Sequence, residues 1–279
     1  MKIFKTILNT IPRPILIKVS YWVRPIIAWS LKGNRFTDPI DGKSFRKFLP
    51  YGYGKQRENA LSPSTLSLER HRLLWLFLQQ ETDFFEPKYN SKSKVLLRDY
   101  SKDTETSSVL KVLHIAPEQC FLDIFRKQQN LEYITSDLES PIADVKADIC
   151  NLPFKNSSFD VVFCNHVLEH IPDDTKAMQE LYRVLKPNGM GIFQVPQDVS
   201  REKTFEDNSI TDKKERAKIF GQYDHVRIYG RDYFDKLRAI GFTVEEIDYT
   251  QKITSEELER FCLTKGEILP VCYKNDLRI

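Results

Sequence analysis

The sequence predicts an α/β domain built on a mostly parallel sheet, preceded by a basic helical arm and a small ribbon-like segment. Three observations lead there. From Val109 to Pro196, short apolar runs alternate with longer helix-periodic ones, as in a parallel sheet covered on both faces. Polar or acidic residues stand just past several of the runs, where such sheets bind ligands. The charge is divided: residues 1–37 carry seven basic residues and no acid, leaving 35 basic against 39 acidic residues in the remainder.

The arm, residues 1–35, strings apolar runs between single cations. None of its uncharged runs approaches the roughly 18 residues a membrane span needs. It also shows no small-residue cleavage site after a continuous apolar stretch, so no secretory signal is expected. Tyr21, Trp22 and Trp29 beside Lys18, Arg24 and Lys32 suit a segment lying in the headgroup layer of an anionic leaflet. They suit equally a pair of short helices packed on the body of the protein or on a second subunit. Pro12, Pro14 and Pro25 argue against a single long helix.

Residues 36–66 resemble a zinc ribbon, in which two x-x-spaced cysteine pairs would fall at Asp38/Asp41 and Ser62/Thr65. None of the four is cysteine, and structural zinc is held by cysteine and histidine. The segment is expected to keep its hairpins without metal, through Phe45, Phe48, Leu49 and Tyr51. The third region, 67–279, opens with an apolar helix over Ser67–Gln80, followed by a polar surface loop over Glu86–Ser108. The five cysteines are scattered and odd in number, which fits free thiols in a reducing cytosol.

Within the body, Val109–Ile115 reads as a strand, Ala116-Pro-Glu118 as a turn and Phe121–Gln128 as a helix. Leu131–Ser136 is a strand that ends at Asp137, and Ser158–Asn165 is another. A helix to Leu185 precedes a strand over Met190–Val195. The close is read as helix Asp232–Ile240, strand Phe242–Ile247, helix Ser255–Cys262 and strand Glu267–Tyr273. Residues 197–230 form a long insertion placed to cross the open top of the sheet as a lid.

Four motifs stand together: Asp148-x-x-x-Leu-Pro-Phe154, Ser158-Phe-Asp160, Val167-Leu-Glu-His170 and Arg183-Val-Leu-Lys-Pro-Asn-Gly189. In this order they resemble class I S-adenosylmethionine-dependent methyltransferases of the small-molecule kind, strongly from Lys111 to Pro196 and loosely to Ile279. The resemblance implies a Rossmann-like sheet of seven strands with an antiparallel ending, and S-adenosyl-L-methionine as cofactor. It places Asp137, 23 residues after His114, on the ribose hydroxyls, and Asp148 and Ile149 on the adenine. Asp148 reads otherwise as a turn cap.

The first turn departs from the family pattern. His114 stands where the family has an acid, and Ala116, Glu118 and Cys120 replace its glycines. No glycine occurs between Gly54 and Gly189. Either this is a variant cofactor loop, with Glu118 meeting the amino group or ribose, or the protein is a non-catalytic relative. The His-x-Ala-Pro-Glu wording resembles a subfamily signature, which favours the variant loop.

The chemical end is read at Asn165, His166, Glu169 and His170, with 166, 169 and 170 spaced for one helical face. Asn165 is assigned to the cofactor. His166 is the first candidate base, since a near-neutral imidazole suits proton removal from a hydroxyl nucleophile. Glu169 and His170 also read as structural groups at the start of the helix. His225 is the second candidate base, and His170, Asp224, Arg227 and Tyr229 are assigned to the acceptor; an ordinary salt-bridged loop is the alternative for Asp224, His225, Arg227 and Tyr229. His166-x-x-Glu-His170 spells an inverted zinc-peptidase motif, but it abuts a strand rather than lying in a long helix, and no metal is assigned. A divalent ion at Glu169 and His170 is the weaker alternative.

The function expected is methyl transfer to a small-molecule or glycan-like acceptor in the cytosol, with the arm able to hold the protein on the inner membrane face. A nucleic-acid acceptor is not expected, because the strand before His166 ends in Cys164-Asn165 rather than an Asn-Pro-Pro-Tyr base pocket. Oligomeric state is not legible.

Overall fold

The computed structural model describes residues 13–52, 56–85, 95, 97 and 109–275, with side chains from residue 19 onward. Most of the Glu86–Ser108 loop and the first twelve residues of the arm lie outside the described residues. The chain forms two compact units, residues 1–75 with 253–265, and residues 76–252 with 266–279.

The first unit begins with helix α1 (Arg13–Ser30), then strands β1 (Lys32–Thr37), β2 (Ser44–Phe45), β3 (Leu49–Tyr51) and β4 (Arg57–Leu61). Helix α2 (Glu69–Glu81) starts in this unit. The expectation that the prolines break any long arm helix is corrected: α1 runs unbroken through Pro14 and Pro25. Pro14 falls in the first turn, where no N–H bond is lost. Pro25 removes one helical bond, a cost local to one turn of an 18-residue helix.

β1 pairs with β2 and β3 with β4, both antiparallel. Leu31, Phe36, Phe45 and Phe48 form the small core. Three of the four ribbon positions, Asp38, Ser62 and Thr65, are joined by hydrogen bonds, while Asp41 accepts from Lys43 N. Fully buried Asp38 accepts from Thr65 Oγ1 and from Ser67 Oγ at 3.0 Å on one oxygen, and from Ile40 N at 2.9 Å on the other. Arg72, also fully buried, donates to the carbonyls of Ala60, Ser67, Phe261 and Cys262. That cation ties residues 253–265, including helix α7 (Ser255–Arg260), into the first unit.

The second unit is a seven-stranded sheet. Its strands are β5 (Leu110–Ile115), β6 (Leu131–Asp137), β7 (Val145–Lys146), β8 (Phe159–Cys164), β9 (Leu185–Ile192), β12 (Thr243–Ile247) and β13 (Leu269–Tyr273). The order across the sheet is β12-β13-β9-β8-β5-β6-β7. β5 to β9 run parallel, and β13 enters antiparallel between β9 and β12. This is the class I arrangement, as expected, and its antiparallel ending matches the expectation too. Strand β7 was not read from the sequence, because two residues carry no periodicity. Helices α3 (Gln119–Phe125), α4 (Asp174–Val184) and α6 (Tyr233–Ile240) accompany the sheet.

The centre of the sheet is apolar on both faces: Val112, Leu113, Val161, Val162 and Cys164 are essentially inaccessible, as central parallel strands require. The Ser-Phe-Asp motif serves the opposite end of the sheet from the site. Asp160 accepts Lys111 N at 2.8 Å and holds Lys186 Nζ at 2.8 Å, stitching β5, β8 and β9 together.

Candidate functional site

β5 continues to β6 on one side, while β8 flanks it on the other. The chain therefore diverges at the carboxyl end of β5 and opens a crevice, the usual ligand position of such sheets. The turn leaving β5 lines it. Ala116 has φ 49°, the left-handed conformation that glycine normally supplies, and its N–H donates to Ser136 O at 2.8 Å. The backbone of the glycine turn is thus formed without glycine.

His114 is fully buried, with Nδ1 2.7 Å from Tyr133 Oη and Nε2 on the Glu118 carboxylate. Phe121, Phe125 and Phe163 surround its ring. His114 itself does not reach the crevice; it carries Glu118, so an acid is supplied four residues later than the family pattern has it. Burial, then the Glu118 charge, pushes the Tyr133 phenol far above its ordinary value, so it stays neutral and can donate to His114.

Asp137 ends β6, and its Oδ1 accepts from the N–H groups of Glu139 and Ser140 at 2.8 and 2.6 Å. Among the described residues no partner takes Oδ2. Exposed Asp148 accepts Cys150 N at 2.9 Å and caps its own turn. Ile149 is buried, a member of the main core cluster with Leu152 and Ile115.

Past β8, buried Asn165 accepts Gln194 N at 3.2 Å, and its Nδ2 finds no partner among the described residues. His166 has φ 55° and is anchored through its N–H to Gln194 O at 2.7 Å. The expected helical face across 166, 169 and 170 does not form, because only Leu168–His170 is helical, as a single 3₁₀ turn. The tight turn at His166 nevertheless brings its Nδ1 to 3.4 Å from Glu169 Oε1. Glu169 is 1% exposed. Burial acts to raise its pKa, but the hydrogen bond and charge of His166 outweigh it and hold the carboxyl below its ordinary value.

The insertion at 197–230 contains β10 (Phe205–Glu206), α5 (Lys213–Ile219) and β11 (Arg227–Ile228). Two of the acceptor residues read from it are corrected. Arg227 is 2% exposed and donates to the carbonyls of Leu168, Ile171 and Pro172, with Glu206 and Asp174 as its ion pairs. Tyr229 is fully buried and donates to Asp174 Oδ2 at 2.7 Å. Neither faces a ligand; both fasten the insertion over the turn after β8, helped by Val226 N donating to Glu169 O at 2.9 Å. The physical reason is that the carbonyls at the end of a short 3₁₀ turn need donors, and the guanidinium fork supplies them.

That fastening brings His225 to His170, with ring centroids 4.7 Å apart, and Asp224 Oδ2 to 3.5 Å from His170 Nδ1. His225 Nδ1 lies 3.2 Å from Phe220 O. A carbonyl only accepts, so Nδ1 carries the proton and Nε2 the lone pair. Burial lowers the His225 pKa, which keeps the ring neutral. Gln119, at the first position of α3, also has a buried amide nitrogen without a partner among the described residues. Sequence reasoning passed over it, and a polar residue opening the helix after β5 was the available signal.

The sheet order and the crevice at the carboxyl end of β5 are those of a Rossmann-like, doubly wound domain. Residues 104–193 match the methyltransferase domain family. The chain is 46% identical over 58 residues to the demethylmenaquinone methyltransferase of Staphylococcus epidermidis, covering 21% of this chain and 24% of that protein. It is 31% identical over 117 residues to the 2-phytyl-1,4-naphtoquinone methyltransferase of Nostoc punctiforme, covering 37% and 50%. A SAM-dependent methyltransferase structure from Archaeoglobus fulgidus aligns with 60% of this chain and 86% of its own, at 17% identity and a TM-score of 0.39. The chain spans about a quarter to a half of the length of these curated relatives.

Proposed function

We propose that this protein transfers a methyl group from S-adenosylmethionine to a small-molecule or glycan-like acceptor held beneath residues 197–230. The observation that carries the proposal is Ala116: a non-glycine residue held at φ 49° at the carboxyl end of β5 keeps the close-approach turn that the cofactor needs. Asp137 Oδ2 is placed for the ribose diol, Asn165 Nδ2 for an acceptor atom of the ligand, and Glu118 for a cationic or hydroxyl group. The cofactor, when bound, supplies a methyl group already activated by a sulfonium.

What remains for the chain is alignment and proton removal. His166, held at its backbone by Gln194 and at its ring by Glu169, is placed to take a proton from an acceptor hydroxyl. The two relatives named above act, by their names, on quinone-type small molecules, and this supports a small acceptor here. As part of the same reading we assign the protein to the cytosol, with α1 on an anionic membrane surface. Among the described residues, no helix is long and apolar enough to cross a membrane. Exposed Val19, Trp22, Val23, Ile26 and Trp29 support a surface contact instead.

Calorimetric titration with S-adenosylmethionine and S-adenosylhomocysteine tests the proposal. Binding in the micromolar range, lost by at least 100-fold in Asp137→Ala with the fold intact by circular dichroism, is the expected result. A folded wild-type protein that binds neither ligand overturns it in favour of a non-catalytic scaffold.

A further inference from the structure

We propose that Glu169, His170 and His225 form a binding site for one divalent transition-metal ion, zinc or a first-row neighbour. The sequence assigns no metal here, since His225 stands 55 residues after His170. Folding brings one donor atom from each of the three within 4.8 Å of the others. A first-row ion binds such donors at roughly 2.0–2.2 Å, so its coordination sphere spans about 4 Å, and small rotamer adjustments close the site.

The hydrogen bonding of the donors selects a cation. His225 donates Nδ1–H to Phe220 O, so its Nε2 carries a lone pair. Glu169 gives Oε1 to His166, and its other oxygen, Oε2, is an acceptor as well. Both Nε2 and Oε2 are buried, on residues 5% and 1% exposed, and neither has a partner among the described residues. Two acceptors cannot satisfy one another without a proton between them, whereas one cation satisfies both. A third buried acceptor, Asp224 Oδ1, adjoins them without a partner.

The outer partners follow the same logic. Histidine ligands donate their second nitrogen to a carbonyl or carboxylate, which fixes the ring and the coordinating tautomer. Phe220 O does this for His225. Asp224 Oδ2, 3.5 Å from Nδ1, does it for His170 and leaves Nε2 of His170 to the ion. Arg227 acts as a positioning residue by clamping the insertion onto the carbonyls of Leu168, Ile171 and Pro172. Two imidazoles and one carboxylate leave coordination positions open. Because Glu169 adjoins His166, those positions would take an oxygen of the acceptor, an extension that rests on the methyl-transfer reading; the ion site does not.

The test uses the full chain, freed of any histidine tag, stripped with chelator and titrated with Zn²⁺ and Co²⁺. One equivalent bound at micromolar or tighter affinity is expected, weakened at least 100-fold in His225→Ala and in Glu169→Gln, and unchanged in Cys150→Ser/Cys262→Ser. Pulsed electron paramagnetic resonance of the Cu²⁺-loaded wild type should show two imidazole nitrogens and needs no variant to fold. Absence of stoichiometric binding, affinity retained in a folded His225→Ala, or fewer than two imidazoles on Cu²⁺ each overturn the proposal. Cofactor titration run in parallel separates the two readings: metal bound with no cofactor bound keeps the ion site and removes the methyltransferase.

Discussion

At the scale of single residues, the site is formed by conformation more than by residue type. Ala116 occupies a backbone region that costs an L-residue about 1–2 kcal/mol. The N–H bond to Ser136 O and the flanking, buried Pro117 hold it there. Ala116→Gly should therefore keep cofactor affinity and be neutral to stabilising, by roughly 0–1 kcal/mol after the entropy glycine gains in the unfolded chain. Ala116→Val, β-branched at positive φ, should lose about 2 kcal/mol and weaken cofactor binding. Urea midpoints and calorimetry on both variants measure this; a Val variant with wild-type stability and affinity would mean the turn is not under this constraint. The same scale explains what the sequence hid. A glycine-free turn looks damaged in one dimension, and only φ at Ala116 and the His114–Glu118 contact show that turn and acid are both present.

At the scale of elements, α1 is set apart because its apolar residues are not all used for packing. Ile27 and Ala28 adjoin the small core of the first unit, while Trp22 and Trp29 stand 82% and 79% exposed. Val19, Trp22, Val23, Ile26 and Trp29 recur at helical spacing, and an exposed apolar stripe among cations suits an anionic interface. Of the three tryptophans, Trp75 is buried, so fluorescence reports chiefly on the arm. Vesicles containing anionic lipid should shift the emission to the blue and sediment the protein, and 1 M salt should weaken the binding. Trp22→Ala/Trp29→Ala should reduce it about tenfold. Equal binding to zwitterionic vesicles, or none to either, would remove the membrane reading. The helix was legible from its apolar runs, but its continuity was not, since a proline rule applied to Pro25 ignores that one lost bond is tolerable in a long helix.

At the scale of the whole molecule, the sheet was readable and the insertion was not, for one physical reason. Strands β5, β8 and β9 announce themselves through burial on both faces, a property local in sequence. The places of His225 and Arg227 depend on contacts 53 to 59 residues away, which no local pattern records. The alternation Asp224-His-Val-Arg-Ile-Tyr229 suggested one exposed polar face, yet His225, Arg227 and Tyr229 are all buried. The group that absorbs this buried charge is Asp174, at the first position of α4. It receives Tyr229 Oη at 2.7 Å and Lys236 Nζ of α6 at 2.8 Å, with Arg227 Nε at 3.6 Å. Burial acts to raise its pKa, but the Lys236 and Tyr229 hydrogen bonds and the Arg227 charge outweigh it, and the carboxyl is held below its ordinary 3.8. A folded pKa below the unfolded one means the stabilisation is fully present above 3.8 and is lost as pH falls through the folded value. Asp174→Asn should therefore cost about 3 kcal/mol at pH 7, because it leaves Arg227 and Lys236 without their shared anion. The difference between variant and wild type should narrow below pH 3.8. Denaturant unfolding at neutral pH and at successively lower pH measures both effects, and a gap that stays constant across that range would show that the Asp174 charge does not hold the insertion in place.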